Sequence, residues 1–380
     1  MARHITELEI ESFRGVKELK LKDLGDINIF VGDNNSGKTS VLEAIQILCD
    51  PSEFNIMQVA RQRDKYKSTS SFGLSLFDLF LYLFNGLSDM KENNQYRMAL
   101  SAVIHDEVLK AKVEGILVDV LIEGKQVSGN NAESGTIENH GLIEMQEEVK
   151  TFVGSIKTIL PEFDQVSVFN GKEREENIEI NRYTKQIRSS KDKSVIKVKS
   201  IQVIDHVVDN AFDELIKNRK IKEKTLTLLK DFEPGITDLR YINDDGRFVP
   251  VVESELPDYL PLSMYGDGMK KALTILNALV SAENGIVIID EFETAIHTTA
   301  MENVFRFMIT VAKELNVQLF LTTHSIEAVD KVLTSAGADV DNIRVITLKK
   351  DQKTGKTLSR NLIGSEVQQD RDAFDFEVRV

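Results

Sequence analysis

Apolar and polar positions along the chain alternate in ways that predict two stretches of mixed α/β structure around a less regular middle. Residues 4–13 place Ile5, Leu8, Ile10 and Phe13 among polar neighbours, the pattern of a half-buried strand. Gly15 and Gly25-Asp26 punctuate a short hairpin-like entry. The apolar run 27–31 reads as a buried strand. Residues 40–48 read as a helix, with Val41, Leu42, Ala44, Ile45 and Leu48 apolar. Residues 51–71 are polar and unpatterned, and 74–87 form a helical stretch rich in Leu and Phe. Residues 97–105 and 108–122 alternate as two antiparallel strands, 126–140 form a loop rich in Gly, Asn and Ser, and 142–159 look helical. In 203–232 the apolar positions Ile204, Val207, Val208, Ala211, Phe212, Leu215 and Ile216 predict a long amphipathic helix ended by Pro234-Gly235. That helix suits a lever arm, an association surface or plain core packing. Three further apolar runs, 285–290, 317–322 and 342–348, read as strands with a helix between each pair, the crossovers that parallel strands require.

Between the strand 27–31 and the helix after it lies Gly32-Asp33-Asn34-Asn35-Ser36-Gly37-Lys38-Thr39, the full G-x-x-x-x-G-K-[ST] pattern. Strand, glycine loop and helix are the arrangement that phosphate binding needs. Glycines let backbone N–H groups turn inward at a helix N-terminus, where they meet anionic oxygens. Lys38 is expected to reach the β- and γ-phosphates of ATP, and Thr39 to place its hydroxyl on Mg²⁺. Gly32, Asn34, Asn35, Ser36, Gly37 and Ser40 complete the expected cofactor-binding set.

Composition narrows the setting. The chain has 380 residues, 42% hydrophobic and 28% charged, as an ordinary globular protein does. One cysteine, Cys49, excludes an internal disulfide and reads as a small core residue. No secretory segment opens the chain and no run is long enough to span a bilayer, so a cytoplasmic protein without a membrane partner is expected. The formal net charge of −14 opposes long-range attraction to nucleic acid, so DNA contact needs a local basic patch. Two clusters qualify: residues 182–199 (Arg182, Lys185, Arg188, Lys191, Lys193, Lys197, Lys199) and 217–224, each with a plain solvated face as the alternative.

The strand 285–290 ends Ile288-Ile289-Asp290-Glu291, the Walker B pattern. A rigid strand delivers one carboxylate, Asp290, to the metal. It delivers the second, Glu291, to a water in line with the γ-phosphate. The next strand ends Thr322-Thr323-His324-Ser325, which places His324 to report the γ-phosphate. Upstream, Tyr265-Gly266-Asp267-Gly268 opens another helix and so makes a second anion site. The cis phosphate loop being assigned, Gly266, Asp267 and Gly268 are expected to contact a second subunit's γ-phosphate.

This order of motifs resembles an ABC-type ATPase head of the SMC, RecF and OLD (overcoming lysogenization defect) groups. Ile10-Glu11-Ser12-Phe13-Arg14-Gly15 is similar to the N-F-R-G/S start of those heads, which makes Arg14 a candidate nucleotide ligand. The Gly266-Asp267-Gly268 form and Glu293 and His297 after Glu291 resemble the OLD-like group. The chain departs from the pattern where the signature serine is missing, Phe292 stands for a proline, and Thr298 stands for another. Gln58 is a weak counterpart of the glutamine such heads carry. The resemblance covers roughly residues 1–50 and 235–365. It implies an α/β fold, an ABC-type P-loop ATPase head with a mixed sheet and a mainly helical insertion. The parts are 1–160, 161–234 as insertion or arm, and 235–380.

OLD nucleases carry a Toprim domain after the ATPase. Here the residues after His324 finish the ATPase sheet, and Asp339-Val340-Asp341 lacks a surrounding domain. The resemblance therefore implies a stand-alone ATPase subunit: a homo-oligomer, at least a dimer around ATP, that gates a separate effector, a nuclease or toxin, in bacterial anti-phage defence. Its rivals are a RecF- or SMC-like ATPase that contacts DNA through 182–199, and an ATP-dependent scaffold with little turnover.

Overall fold

A computed structural model describes residues 4–63, 74–84, 95–125, 144–161, 173–184, 195–201, 213–255, 259–294 and 296–369. The chain begins β1 (Ile5–Phe13), β2 (Val16–Leu21), β3 (Ile27–Val31), α1 (Lys38–Cys49), α2 (Glu53–Arg61) and α3 (Leu76–Leu81). It continues β4 (Gln95–Ile104), β5 (Glu107–Lys125), β6 (Glu144–Ile159), β7 (Glu173–Asn181), β8 (Val198–Ile201), α4 (Asp213–Lys217) and α5 (Arg219–Leu229). Then follow β9 (Ile236–Asp244), β10 (Arg247–Ser254), β11 (Leu260–Pro261), α6 (Asp267–Ser281), β12 (Ile286–Ile289) and α7 (Thr298–Glu314). The last described elements are β13 (Gln318–Thr322), α8 (Ile326–Ala336), β14 (Ile343–Lys350), β15 (Thr357–Ile363) and α9 (Gly364–Gln369).

Two six-stranded sheets organise these elements, in the orders β15-β14-β3-β13-β12-β8 and β2-β1-β4-β5-β6-β7. The first is parallel from β14 to β8, with β15 antiparallel at its edge, so the expected mixed α/β sheet is present. Its strands β3, β12 and β13 are buried at every position, as a sheet covered on both faces requires. On one face Ile29, Val287 and Leu321 meet helices α5 to α8. On the other, Phe30, Ile288 and Phe320 meet α1 and the antiparallel sheet. Helix α1 is thus enclosed between two sheets; only Thr39 of its residues is not buried. Cys49 lies in this layer, where burial pushes its thiol pKa up, so it is the inert core residue expected.

Several sequence expectations give way here. Residues 142–159 are not helical: 144–159 form β6, paired along its length with β5. The decisive pattern is the set Phe152, Ile156 and Thr158, all buried and spaced by even numbers of residues, with Val153, Ser155 and Lys157 on the other face. Phe152 lies over the facing glycines: a Cβ on Gly115 would come within 2.4 Å of its ring, and one on Gly154 within 2.2 Å of Glu114 O. The polar stretch after α1 contains helix α2, started by Ser52, whose side chain accepts from Asn55 N, and held by buried Ile56, Met57 and Val59. The expected helix over 203–232 is described only from 213, as α4 and α5 interrupted at Asn218, which caps α5. Residues 202–212 lie outside the described residues. Within 161–234 the described elements are the strands β7 and β8 as well as the helices α4 and α5. Both strands complete sheets of the head.

The ring of Phe152 packs against Phe80, Phe84 and Tyr96 at 5.0 to 6.0 Å between centroids and is fully buried. Phe152→Ala is expected to cost about 3–5 kcal/mol, read as a lowered urea midpoint at unchanged slope. A helical 142–159 with Phe152 on a solvent face would instead leave the midpoint unmoved.

Candidate nucleotide site

The phosphate loop departs from β3 toward the N-terminus of α1, and two of its glycines are required by geometry. Gly32 has φ +133°, and a Cβ there would lie 2.2 Å from Leu348 O of β14. Gly37, which precedes α1, has φ +104°, and its Cβ would meet the Val16 side chain at 2.8 Å. Asn35 also takes a left-handed φ, +66°, which Asn tolerates better than most residues. The loop is therefore clamped between β14 and the β1–β2 turn. Lys38 Nζ donates to Gly32 O (2.7 Å) and Asp33 O (2.9 Å), bridging the loop's ends. Burial lowers the Lys38 pKa, opposed by the charges of Asp290, Asp33, Glu291 and Glu293. The Ser36 hydroxyl is buried and has no hydrogen-bond partner. An orphaned donor inside a ring of loop amides fits a phosphate oxygen, so this chain's own residues suit the phosphates of ATP.

Beside the loop, the ends of β12, β13 and α1 converge on one carboxylate. Thr39 Oγ1 lies 3.3 and 3.2 Å from the two Asp290 oxygens, and Thr322 Oγ1 donates to Asp290 Oδ1 at 2.5 Å. A hydroxyl and a carboxylate oxygen face to face are the hard donors that Mg²⁺ takes. Glu291 follows with φ +48°; its N–H donates to Thr322 Oγ1 at 2.8 Å, and its carboxylate accepts from Thr294 Oγ1 at 3.4 Å. His324 is exposed just past β13, and its backbone N–H donates to Glu293 Oε1 at 3.3 Å. Lys38 and Thr39 at the start of α1, Asp290 and Glu291 after β12, and His324 after β13 thus lie at the ends of neighbouring elements.

Other expected site residues stand apart. Arg14, on the β1–β2 turn with φ +48°, is buried and ion-paired with buried Glu43 at 2.7 Å, and Nη2 donates to Val59 O. Arg63 binds the same carboxylate through Nε (2.8 Å) and Nη2 (2.7 Å) and also reaches Ser40 Oγ (2.9 Å). Burial draws the Arg14 pKa down to about 10 against the pull of Glu43, so the guanidinium stays charged at neutral pH. Arg14 here anchors the turn to α1, and Ser40 serves that network. Gly266 and Asp267 are exposed at the start of α6, and among the described residues no hydrogen bond or ion pair joins Gly266, Asp267 or Gly268 to the phosphate loop. Gln58 is exposed on α2. Asp339 is paired with Lys313, and no cluster of metal-ligating side chains is found among the described residues.

Sequence reasoning overlooked Thr322, Glu43 and Arg63. Thr322 stood in plain view next to Thr323 and His324; only the parallel pairing of β12 with β13 turns its hydroxyl toward Asp290. Glu43 could have been suspected as the one acid among the apolar residues Val41, Leu42, Ala44 and Ile45.

The AAA ATPase domain family matches residues 4–329 of this chain. The chain belongs to that family. An ATP/GTP phosphatase of Helicobacter pylori is 25% identical over 342 residues, 87% of this chain and 88% of that protein. RecF, a DNA replication and repair protein of Acinetobacter baumannii, is 47% identical over 51 residues, 13% of this chain and 14% of RecF. Among solved structures, an SMC head bound to the C-terminal winged-helix domain of ScpA aligns over 96% of this chain and 99% of that chain, with 12% identity and a TM-score of 0.48. The protein is an ATPase with a mixed α/β fold that carries a P-loop. No described helix is long and apolar enough to cross a membrane.

The Thr322 hydroxyl bonds both to Asp290 and to the backbone that orients Glu291. Thr322→Val, which keeps the shape, is expected to lower kcat of ATP hydrolysis at least tenfold while KM moves less than threefold, as loss of a positioning contact does. A rise in KM alone would place Thr322 in ground-state binding.

Proposed function

We propose that this ATPase is a nucleotide-driven assembly switch that forms at least a dimer around Mg-ATP and gates a separate effector. The observation that carries the reading is the meeting of Lys38 and Thr39 at the start of α1 with Asp290 and Glu291 after β12, while Gly266 and Asp267 are exposed and make no hydrogen bond or ion pair to the phosphate loop among the described residues. In this reading Lys38 and the loop amides hold the β- and γ-phosphates, and Ser36 adds a hydroxyl. Thr39 and Asp290 hold Mg²⁺, which supplies Lewis-acid charge neutralisation at the phosphates. Glu291 takes the proton of the attacking water, and His324 reads the γ-phosphate. Gly266, Asp267 and Gly268 complete the site of a second copy, presenting the α6 N-terminus to its γ-phosphate. Arg14 acts by fixing the turn beside Gly37, its charge held by Glu43. Parts 1–160 and 235–380 form the head and 161–234 is inserted between them.

The finer role we propose is cytoplasmic, in bacterial anti-phage defence, with a nuclease or toxin as the effector; its support is the OLD-like run through Asp290, Glu291, Glu293 and His297. The second reading is a RecF- or SMC-like ATPase acting on DNA, supported by the short likeness to RecF.

Glu291→Gln is expected to bind ATP within a few-fold of wild type and to lower kcat about 10²–10⁴-fold, the range of a lost general base. With Mg-ATP its molar mass in solution should double or more and stay there, while wild type returns as phosphate is released. Wild-type turnover in Glu291→Gln would remove Glu291 from the base role. An unchanged mass would remove ATP from the interface.

A further inference from the structure

Where charge is concentrated on the surface differs from where it is concentrated in the sequence. In the cluster 217–224 every cation has an acid partner: Lys217 with Glu214, Arg219 with Glu223, Lys220 and Lys224 with Glu314, and Lys222 with Asp238. Of the cluster 182–199, Arg182 is paired with Glu147 and residues 185–194 lie outside the described residues. The β14–β15 hairpin is different. Its residues 349–360 carry Lys349, Lys350, Lys353, Lys356 and Arg360 against one acid, Asp351. Asp351 is committed to the turn, accepting from Thr354 Oγ1 (2.5 Å) and Lys353 N (3.0 Å), which hold its pKa below the usual carboxylate range. Lys356 is paired with Glu18 of β2. Lys349, Lys350 and Lys353 are exposed and make no ion pair among the described residues.

The hairpin does not stand alone. β15 and β2 are the outermost strands of the two sheets, and they lie against each other: Asn361 Nδ2 donates to Lys22 O (2.8 Å), and Lys17 N to Thr357 Oγ1 (3.4 Å). Lys22, exposed and without an ion pair among the described residues, extends the basic surface across this seam. One wall of the hairpin also faces the phosphate loop. Lys349, Lys350 and Leu358 line a cavity of about 590 Å³ whose other side is residues 33–36.

We propose that the β14–β15 hairpin with Lys22 is a binding surface for the phosphate backbone of a nucleic acid. Lys349 and Lys350 are successive residues at the end of β14, Lys353 lies on the turn that follows, and Lys22 lies across the seam just past β2. They are spread over two separate segments of the chain. A linear polyanion satisfies them in series, and a protein with a net charge of −14 attracts one only where such a patch exceeds the surrounding repulsion. The plain alternative is that these lysines only guard two sheet edges against pairing with other chains. The proposal needs nothing from the assembly reading, because binding is measured without nucleotide.

The experiment titrates the full-length protein, free of nucleotide, into fluorescent 30-base-pair DNA, the same length of single-stranded DNA and single-stranded RNA, over a series of salt concentrations. Four unpaired cations give an expected log–log slope near −3.6 on duplex, and a shallower one on single strands. Lys22→Gln with Lys353→Gln, both away from the nucleotide site, should flatten the duplex slope by about 2 and weaken binding about 10- to 100-fold at 0.1 M salt. Unchanged Mg-ATP binding in that variant establishes that it is folded. A wild type that binds none of the three polymers overturns the proposal and leaves the lysines as edge guards. So does a slope untouched by the double variant, or binding abolished instead by Lys197→Gln with Lys199→Gln.

Discussion

The carboxylate of Asp290 ties together three elements that the chain brings in from far apart. Thr39 belongs to α1, Thr322 to the end of β13, and Asp290 itself to the residue after β12. Because β12 and β13 are parallel neighbours in register, Ile289 beside Leu321, the two strand ends arrive at one height, and the hydroxyl of the next residue meets the carboxylate of the next. The same hydroxyl accepts the N–H of Glu291, which sits at φ +48°. A left-handed glutamate costs about 1–2 kcal/mol relative to ordinary backbone, so it persists only where its surroundings hold it. Here Thr322 holds the amide, and the turn sends the Glu291 side chain away from the strand direction. The strain and the carboxylate that is placed by it thus share one hydroxyl.

Helix α1 transmits that arrangement to the second sheet. A helix buried on all sides has no solvent face on which to put charge, yet it carries Glu43. A lone buried carboxylate is too costly to persist, and Arg14 and Arg63 both answer it. The pairing fixes the β1–β2 turn against the helix one turn past the phosphate loop, and that turn in turn presents Val16 against Gly37. The loop is shaped from both flanks, by Leu348 of β14 and by the turn that Glu43 holds. Glu43 is therefore tied to the phosphate loop through the shape of the backbone, without touching it.

The parallel half of the fold was legible because its signals are local. Runs such as 286–289 and 319–321, fully apolar and followed by acidic or hydroxyl residues, have few other meanings beside a phosphate loop. The antiparallel half was harder. Residues 142–159 carry enough Glu, Gln and Lys at their start to look helical, and the partner that makes them a strand, β5, is specified by pairing that no local window contains. Helix α2 was missed because its buried face is short and its cap is a single serine. Arg14 illustrates a limit of another kind. Its motif was visible, but its partner Glu43 lies on the opposite side of the phosphate loop in sequence, and only packing brings them within 2.7 Å.

Charge shows the same division between sequence and surface. The helix from Arg219 to Leu229 looks strongly basic when read along the chain, and folding cancels it by bringing Glu314 and Asp238 to its side. The hairpin after β14 looks unremarkable in a chain with so many lysines, and folding leaves it uncancelled because its one acid is spent on its own turn and its neighbours are edge strands. Ion pairs at such exposed positions contribute little to stability, about 0–1 kcal/mol each, so cancelling the charge would have cost the fold almost nothing. What the uncancelled charge does instead is set a locally positive potential on a chain whose net charge is −14. It sets that potential on the hairpin whose first strand supplies Leu348, the residue against which Gly32 must fit.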